Sequence, residues 1–251
     1  MCEVFGVSSA KDINVNAELK EFFKHGELNP HGWGIASWDE KGTVTLIKEP
    51  SNSAGSGKIA ELLSADLTCR GMFAHIRRAT IGHVEYENTH PFTGTDANGR
   101  KWTLVHNGTI FESDELDPYA DIQEGDTDSE RILLYILDQN EGITDESGRF
   151  DLMDSIVVKL SKGNKLNLLI FDGENLYVHK NEAGTMYRKT GDGHVLFATR
   201  PLDDGAWEEV PINRLLVYRD GAKIYEGTVH DHTYLHDEEQ MNMLLMSFAM
   251  L

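Results

Sequence analysis

Short runs of apolar residues that alternate with polar ones recur along the chain and predict β-strands. Tight turns join several of these runs, such as Asp172-Gly173 and Asp220-Gly221, which favours hairpins and therefore antiparallel sheets. The predicted strands cover residues 2–7, 33–38, 43–48, 71–76, 102–106, 166–172, 176–180, 195–199, 215–219 and 223–226.

Apolar residues at helical spacing predict a smaller number of helices, over residues 16–25, 58–67, 127–139, 150–160 and 237–250. The clearest is 127–139, where Thr127 and Glu130 form a capping box. An apolar stripe follows the capping box, at Ile132, Leu133, Ile136 and Leu137. The last helix carries a methionine-rich face that we expect to pack on the core rather than on a partner.

Strands and helices are interleaved without a long linker, a repeat or a low-complexity tract, which favours an α+β layered fold. We expect residues 1–251 to form a single domain, with 200–251 supplying closing strands and a C-terminal helix. The chain length is compatible with one sizeable hydrophobic core or at most two small ones.

The amino-acid composition argues against several classes of binding partner and of cellular location. The formal net charge is −19, which opposes binding to nucleic acid or to an anionic membrane surface. No apolar run approaches the length of a membrane helix, and the N-terminus does not read as a signal peptide. With only Cys2 and Cys69, a disulfide framework is excluded and we expect a reducing, cytoplasmic location.

Cys2 is the first candidate for chemistry, because removal of Met1 would expose it as the N-terminal residue. Its free α-amine could then act as the base for its own thiol, directly or through a water. By position alone, a small buried apolar residue without a catalytic role is the simpler interpretation of Cys2.

Three further motifs carry residue types that could serve in catalysis or in binding a charged ligand. Asn107-Gly108 follows a predicted strand, where an amide and a backbone N–H could form an oxyanion hole, although a plain hairpin turn is the commoner outcome. Arg77 and Arg78 could grip a carboxylate or balance nearby acids. Asp128 opens the clearest helix, where it could suit the helix dipole or hold an ammonium group.

Taken in order, the motifs resemble the class II glutamine amidotransferase domain, an N-terminal-nucleophile hydrolase, and in particular its stand-alone branch. The motifs are Met-Cys at the start, HGWG from His31, AHIRRAT from Ala74, NTHPF from Asn88, VHNG from Val105 and DTDSE from Asp126. The resemblance extends from Cys2 to about Phe197. It implies a four-layer αββα sandwich with two mainly antiparallel sheets.

The resemblance also implies roles for particular residues. Cys2 would be the catalytic nucleophile with its freed α-amine as general base, and Asn107 and the Gly108 N–H would form the oxyanion hole. The substrate would be bound by residues at the other motifs: Arg77 for the α-carboxylate supported by Thr80, Asp128 for the α-ammonium, and His90 near the site. Arg78 stands where many relatives carry Trp, so the local packing is expected to differ.

The implied activity is release of ammonia and glutamate from L-glutamine through a Cys2 thioester, with no metal or organic cofactor. The ammonia would pass to a separate synthase subunit or be released. Two alternatives stay open: hydrolysis of another γ-glutamyl amide on the same fold, and a catalytically inactive, partner-binding relative. The eleven histidines also invite a metal, but no pair has a recognisable ligand spacing.

Overall fold

A computed structural model describes residues 2–248 and contains two antiparallel β-sheets. The first sheet has seven strands in the order β11-β9-β10-β1-β4-β2-β3. Its members are β1 (Glu3–Asn14), β2 (Trp33–Trp38), β3 (Val44–Glu49), β4 (Thr68–Ile76), β9 (Tyr187–Gly191), β10 (His194–Ala198) and β11 (Glu208–Glu209). The two central strands, β1 and β4, run antiparallel with Glu3 opposite Ile76, so the beginning of β1 lies beside the end of β4.

The second sheet has six strands in the order β13-β12-β8-β7-β6-β5. They are β5 (Phe92–Thr95), β6 (Lys101–His106), β7 (Leu168–Phe171), β8 (Leu176–His179), β12 (Leu216–Arg219) and β13 (Ala222–Glu226). Asp220 and Gly221 both have positive φ, as a tight hairpin between β12 and β13 requires.

The helices lie outside the sheets. They are α1 (Asn16–Lys24), α2 (Gly57–Ser64), α3 (Asp128–Gln139), α4 (Glu146–Ser161) and α5 (Glu238–Phe248), with short 3-10 turns at His25–Leu28 and Asp117–Tyr119. None of these helices, within residues 2–248, is long and apolar enough to cross a bilayer.

Three apolar clusters hold the layers together. Residues of α1 and α2 pack on the outer face of the first sheet, for example Phe22 of α1 against Phe5 of β1. Residues of α3 and α4 pack on the outer face of the second sheet, for example Ile132 against Leu104. A third cluster, which includes Phe73 and Leu169, fills the space between the sheets. The layer order is therefore αββα, and the expected fold is confirmed.

The close contact between the two sheets explains why residue 6 is a glycine. A Cβ placed on Gly6 of β1 would lie 2.6 Å from Leu169 Cδ1 of the opposite sheet. Any larger residue would force the Leu169 side chain to shift within the core between the sheets.

Each predicted strand has a counterpart, but the pattern missed β5, β9 and β11. β9 and β11 are rich in charged or exposed residues, and β5 has only one buried side chain, so apolar alternation gave no signal there. The second helix was predicted to continue to residue 67 but ends at Ser64. Beyond it, Leu67 bonds through its backbone to the Asn16 side chain and to Val15.

The C-terminal region contains β11, β12, β13 and α5. Met250, which the predicted helix included, lies outside the described residues. The segment before α5 is tied back to the body of the chain: Tyr234 N–H donates to Asn181 O at 2.8 Å, and Asn181 Nδ2 donates to His232 O at 3.0 Å.

Thr127 caps the start of α3 as the sequence predicts, but the Glu130 side chain bonds farther back in the chain than a capping box requires. Thr127 Oγ1 accepts a hydrogen bond from the Glu130 N–H at 3.3 Å. The Glu130 carboxylate reaches back to the backbone N–H groups of Glu124 and Gly125, at 2.6 and 2.9 Å. The Thr127 bond satisfies a donor that a helix N-terminus would otherwise leave unpaired, and the two bonds to the Glu130 carboxylate order the chain before Asp128.

Replacing Thr127 with alanine should lower the free energy of unfolding by about 1 kcal/mol, because the capping acceptor is lost. Thr127→Ser keeps the acceptor and should remain within a few tenths of a kcal/mol of wild type. Urea unfolding of the three proteins measures the difference. Equal stability of the alanine and serine variants would contradict this account of the helix start.

Candidate active site

The Cys2 thiol contacts the chain where β4 ends. The Arg78 N–H donates to Cys2 Sγ at 3.3 Å, and the thiol in turn lies 3.4 Å from Arg78 O. These contacts follow from the pairing of β1 with β4, because Cys2 and Arg78 lie just beyond the last pair, Glu3 and Ile76. Cys2 is half-buried, and it shares with Val4 the side of β1 that faces the second sheet.

Opposing effects act on the acidity of this thiol. Burial is the largest of them and raises the pKa of Cys2, and the charge of Asp128 acts in the same direction. The Arg78 N–H and the Arg77 guanidinium both lower that pKa. Arg77 and Asp128 therefore lie near enough to Cys2 for their charges to be felt there.

Asn107 lies directly after β6, where its amide faces the first sheet. Its backbone N–H is held by Asn167 O at 2.9 Å, and its Nδ2 contacts Thr199 Oγ1 at 3.4 Å. The same Thr199 oxygen accepts the Val4 N–H at 2.9 Å. Thr199 thus links the Asn107 amide to the strand that carries Cys2. Thr199 was not predicted from the sequence, because nothing around it in the chain indicates this contact.

Gly108 is required by close packing. A Cβ at this position would meet Lys165 O and the His106 ring, both far inside contact distance. On the far side of the glycine, Thr109 pairs with Lys165 in both directions, at 2.9 and 3.1 Å. Within residues 2–248, the Gly108 N–H donates to no acceptor. The turn thus presents a backbone donor beside the Asn107 amide.

Arg77 is buried at the end of β4, and its guanidinium points into the loop that follows. Nη1 donates to His83 O at 2.8 Å, and Nη2 donates to Ile81 O and Gly82 O at 2.8 and 3.1 Å. Burial lowers the pKa of Arg77, and the acidic groups around it oppose that shift. An arginine remains charged under any such shift, so it supplies a fixed cation.

Asp128 is the first residue of α3 and is also buried. Its Oδ2 accepts the Ile110 N–H at 2.7 Å, and its Oδ1 accepts the Ser129 hydroxyl at 3.2 Å. Ser129 Oγ also contacts His106 Nδ1 at 3.0 Å. The carboxylate is therefore held by the same turn that carries Asn107 and Gly108.

The remaining candidates lie nearby in different settings. Thr80 is half-buried on the loop after Arg77. His90 is buried, and its ring stacks on His75 with centroids 4.0 Å apart. Within residues 2–248, neither ring nitrogen of His90 has a hydrogen-bond partner. Burial lowers the pKa of His90 well below its usual value, so this ring is neutral at pH 7.

The HGWG motif forms hydrogen bonds with the backbone that follows β4. His31 Nδ1 accepts the Ala79 N–H at 2.9 Å, and the His31 N–H donates to Arg77 O at 3.0 Å. The Arg77 N–H donates to Gly32 O at 2.7 Å. The motif therefore holds the backbone on both sides of Arg78, which is itself exposed.

Cys69 does not belong to this site. It is buried among apolar side chains of the first sheet and its helices, and burial raises the pKa of its thiol to about 12. It should therefore stay protonated and unreactive in the folded protein. Within residues 2–248, no group of three or more histidine, cysteine or acidic side chains is arranged to hold a metal.

The structure thus brings together a thiol, an amide beside an unpaired N–H, a buried cation and a buried carboxylate. In the sequence these groups are up to 126 residues apart, from Cys2 to Asp128. A thiol beside two N–H donors can attack a carbonyl and stabilise the resulting oxyanion. A fixed cation and a fixed anion suit the carboxylate and ammonium of an amino acid.

Comparisons with known proteins agree with this geometry. A family model described as class II glutamine amidotransferases matches residues 1–191. An uncharacterized protein of Methanocaldococcus jannaschii is 32% identical over 90% of this chain and 72% of its own length. The γ-glutamyl-hercynylcysteine sulfoxide hydrolase of Mycolicibacterium smegmatis is 26% identical over 78% of this chain and 81% of its own.

The fold recurs in a solved structure. Glutamine phosphoribosylpyrophosphate amidotransferase from B. subtilis superposes with a TM-score of 0.67 at 20% identity. The superposition covers 89% of this chain but 48% of that enzyme.

Proposed function

This chain belongs to the class II glutamine amidotransferases, and on that premise we propose that it hydrolyses the side-chain amide of L-glutamine, with Cys2 as nucleophile after Met1 is removed. The observation that carries the proposal is the meeting of Cys2, Asn107, Gly108, Arg77 and Asp128 where β1 begins and where β4 and β6 end.

The substrate would be held by its zwitterionic end. Two of the five guanidinium N–H groups of Arg77, one on Nε and one on Nη1, are not used by the loop carbonyls, and we propose that one of them donates to the α-carboxylate. The Asp128 carboxylate would take the α-ammonium. Thr80 would support the carboxylate end, and the neutral His90 would shape the site without contributing charge. Ligands that lack either charge would leave a buried ion unpaired and would bind poorly.

The thiol proton would pass to the Cys2 α-amine, and the sulfur would attack the side-chain carbonyl carbon. Asn107 Nδ2 and the Gly108 N–H would stabilise the oxyanion of the tetrahedral intermediate. The protonated α-amine of Cys2 would return its proton to the leaving nitrogen. Ammonia would then depart and leave a thioester on Cys2. Water, activated by the same amine, would then release glutamate and restore the thiol. This series of steps uses no metal or organic cofactor.

The fate of the ammonia is part of the proposal. We propose that the whole chain is one amidotransferase-type domain, and that an acceptor for ammonia would sit on a separate synthase subunit. Without such a subunit, the ammonia would be released. Neither nucleic acid nor membrane is proposed as a partner of this strongly acidic chain.

A second candidate function is hydrolysis of a different γ-glutamyl amide. The observation that favours it is the similarity to the M. smegmatis hydrolase, whose name describes a γ-glutamyl substrate. Arg77 and Asp128 would bind the same glutamyl head in either case. The two candidates differ only in the group attached to the amide nitrogen, so they share the mechanism described for Cys2.

The test is intact-protein mass before and after incubation with 6-diazo-5-oxo-L-norleucine, an electrophilic glutamine analogue. We expect a protein without Met1 that gains one adduct, and no adduct on Cys2→Ala, which retains the protected Cys69. Release of ammonia from glutamine, compared with release of amine from N-substituted γ-glutamyl amides, then separates the two candidate substrates. A protein that retains Met1, or one without an adduct, would contradict the proposed mechanism.

A further inference from the structure

The direction of the Arg77 guanidinium depends on the loop after β4. Three backbone carbonyls in succession, those of Ile81, Gly82 and His83, accept its N–H groups. A shift of this loop would therefore turn the guanidinium and move the two N–H groups that remain for a ligand. Whatever fixes the loop also fixes the proposed carboxylate subsite.

The loop is fixed by one carboxylate. Asp126 Oδ1 accepts the His83 backbone N–H at 3.1 Å, and Asp126 Oδ2 lies 2.5 Å from His83 Nδ1. Asn88 joins the same group, because its Nδ2 donates both to Asp126 Oδ1 and to His83 O, the latter at 3.1 Å. The Asp126 N–H donates back to Asn88 Oδ1 at 2.8 Å. We refer to Asp126, His83 and Asn88 as the clasp.

Two glycines allow the clasp to close. Gly82 has a φ of +79°, and a Cβ there would lie 2.5 Å from Asp126 Oδ1. A Cβ on Gly125 would collide with Asn88 Oδ1. The loop and the chain before α3 therefore approach each other more closely than side chains would permit.

Asp126 lies two residues before Asp128, on a segment that is ordered by the Thr127 cap and by the Glu130 carboxylate. One short segment thus carries the carboxylate proposed for the substrate ammonium and the carboxylate that holds the Arg77 loop. The two charged groups of an α-amino acid are attached to a single carbon. Their protein partners must therefore keep one distance from each other.

We propose that Asp126 is a positioning residue which, through His83 and Asn88, keeps Arg77 at the correct distance from Asp128 and so determines recognition of the α-amino acid head. This inference rests on the proposed function, and it deepens that proposal by assigning selectivity for the head group to a residue that does not touch it. About half of the His83 side chain and two fifths of the Asp126 side chain are exposed. Their Coulombic attraction is accordingly weakened by solvent, and we assign the effect to geometry.

The test compares two reagents that attack the same thiol. 6-Diazo-5-oxo-L-norleucine must be held by its amino acid head, whereas iodoacetamide has no head group. For Asp126→Ala, we expect the second-order rate of labelling of Cys2 by the analogue to fall about 10- to 100-fold. The rate with iodoacetamide should stay within about twofold of wild type. Asp126→Asn, which keeps an acceptor for the His83 N–H, should lie between the two.

Turnover provides a second readout. If glutamine is hydrolysed, Asp126→Ala should raise KM much more than it lowers kcat, because the reacting groups at Cys2 and Asn107 are unchanged. Asp121→Ala is the matched control, since it removes an exposed carboxylate five residues earlier in the chain. It should leave both labelling rates and KM unchanged.

The outcomes separate the two proposals. Wild-type protein that reacts with iodoacetamide but not with the analogue would overturn the proposed function and the inference with it. Wild-type protein that is labelled by the analogue, with Asp126→Ala labelled equally fast, would overturn the inference alone. A parallel fall with both reagents would also overturn it, because Asp126 would then support the nucleophile and not the head group.

Discussion

Replacing Asn107 with alanine should lower kcat for glutamine hydrolysis by about 10²- to 10³-fold, with a smaller effect on KM. The reason is that the amide Nδ2 is one of two donors available to the oxyanion, and the oxyanion exists only after the thiol has attacked. In the free protein this amide is held in place by Thr199, whose hydroxyl is also bonded to Val4 beside the nucleophile. Steady-state kinetics on the processed enzyme measure both constants.

Variants at Thr199 serve as controls for this interpretation. Thr199→Ser keeps the hydroxyl and should have a kcat close to wild type. Thr199→Val removes the hydroxyl and leaves the Val4 N–H unsatisfied, so kcat should fall by less than in Asn107→Ala while stability also decreases. A kcat within threefold of wild type for Asn107→Ala would rule out a role for this amide in the oxyanion hole.

Acid should destabilise the folded protein strongly between pH 6.5 and pH 5. His75 and His179 are both buried, and burial is the main reason that the pKa of each is lowered to about 3. The charge of Arg77 adds to the shift at His75, and His230 adds to the shift at His179. Both rings are therefore neutral in the folded protein throughout this range.

The direction in which stability changes with pH follows from the number of protons that each state binds. In the unfolded chain a histidine takes up a proton near pH 6.5, whereas these two rings in the folded protein do so only near pH 3. Between these values the unfolded state binds more protons, so stability falls as the pH is lowered. Each histidine should cost about 2 kcal/mol at pH 5 relative to neutral pH, and the loss is complete near pH 3. Such a loss is a large part of the stability of a typical domain.

Urea unfolding at pH 7.5, 6 and 5 measures this dependence. His179→Gln should reduce the loss of stability between pH 7.5 and pH 5 by about 2 kcal/mol, because one buried histidine with a strongly lowered pKa has been removed. His194→Gln, at a partly exposed position on β10, is the matched control for this substitution. A free energy of unfolding that is the same at pH 7.5 and pH 5 would contradict the account of the buried histidines.

The sequence alone determined those parts of the fold that depend on neighbouring residues. Alternation of apolar residues located β2 within its observed bounds, and the capping box located the start of α3. The order of the motifs identified the family and, through it, the αββα layers. These features are local because the pleat of a strand and the unpaired donors of a helix end concern residues only a few positions apart.

Tertiary structure decided the features that depend on residues far apart in the chain. β9 and β11 form because they pair with the edge of the first sheet, although their own side chains carry little apolar signal. Thr199 reaches Asn107 across 92 residues, and Asp126 reaches His83 across 43. Sheet order and register bring these groups together, and both are set by packing of the whole core, so no local pattern in the sequence could reveal the contacts that support the candidate site.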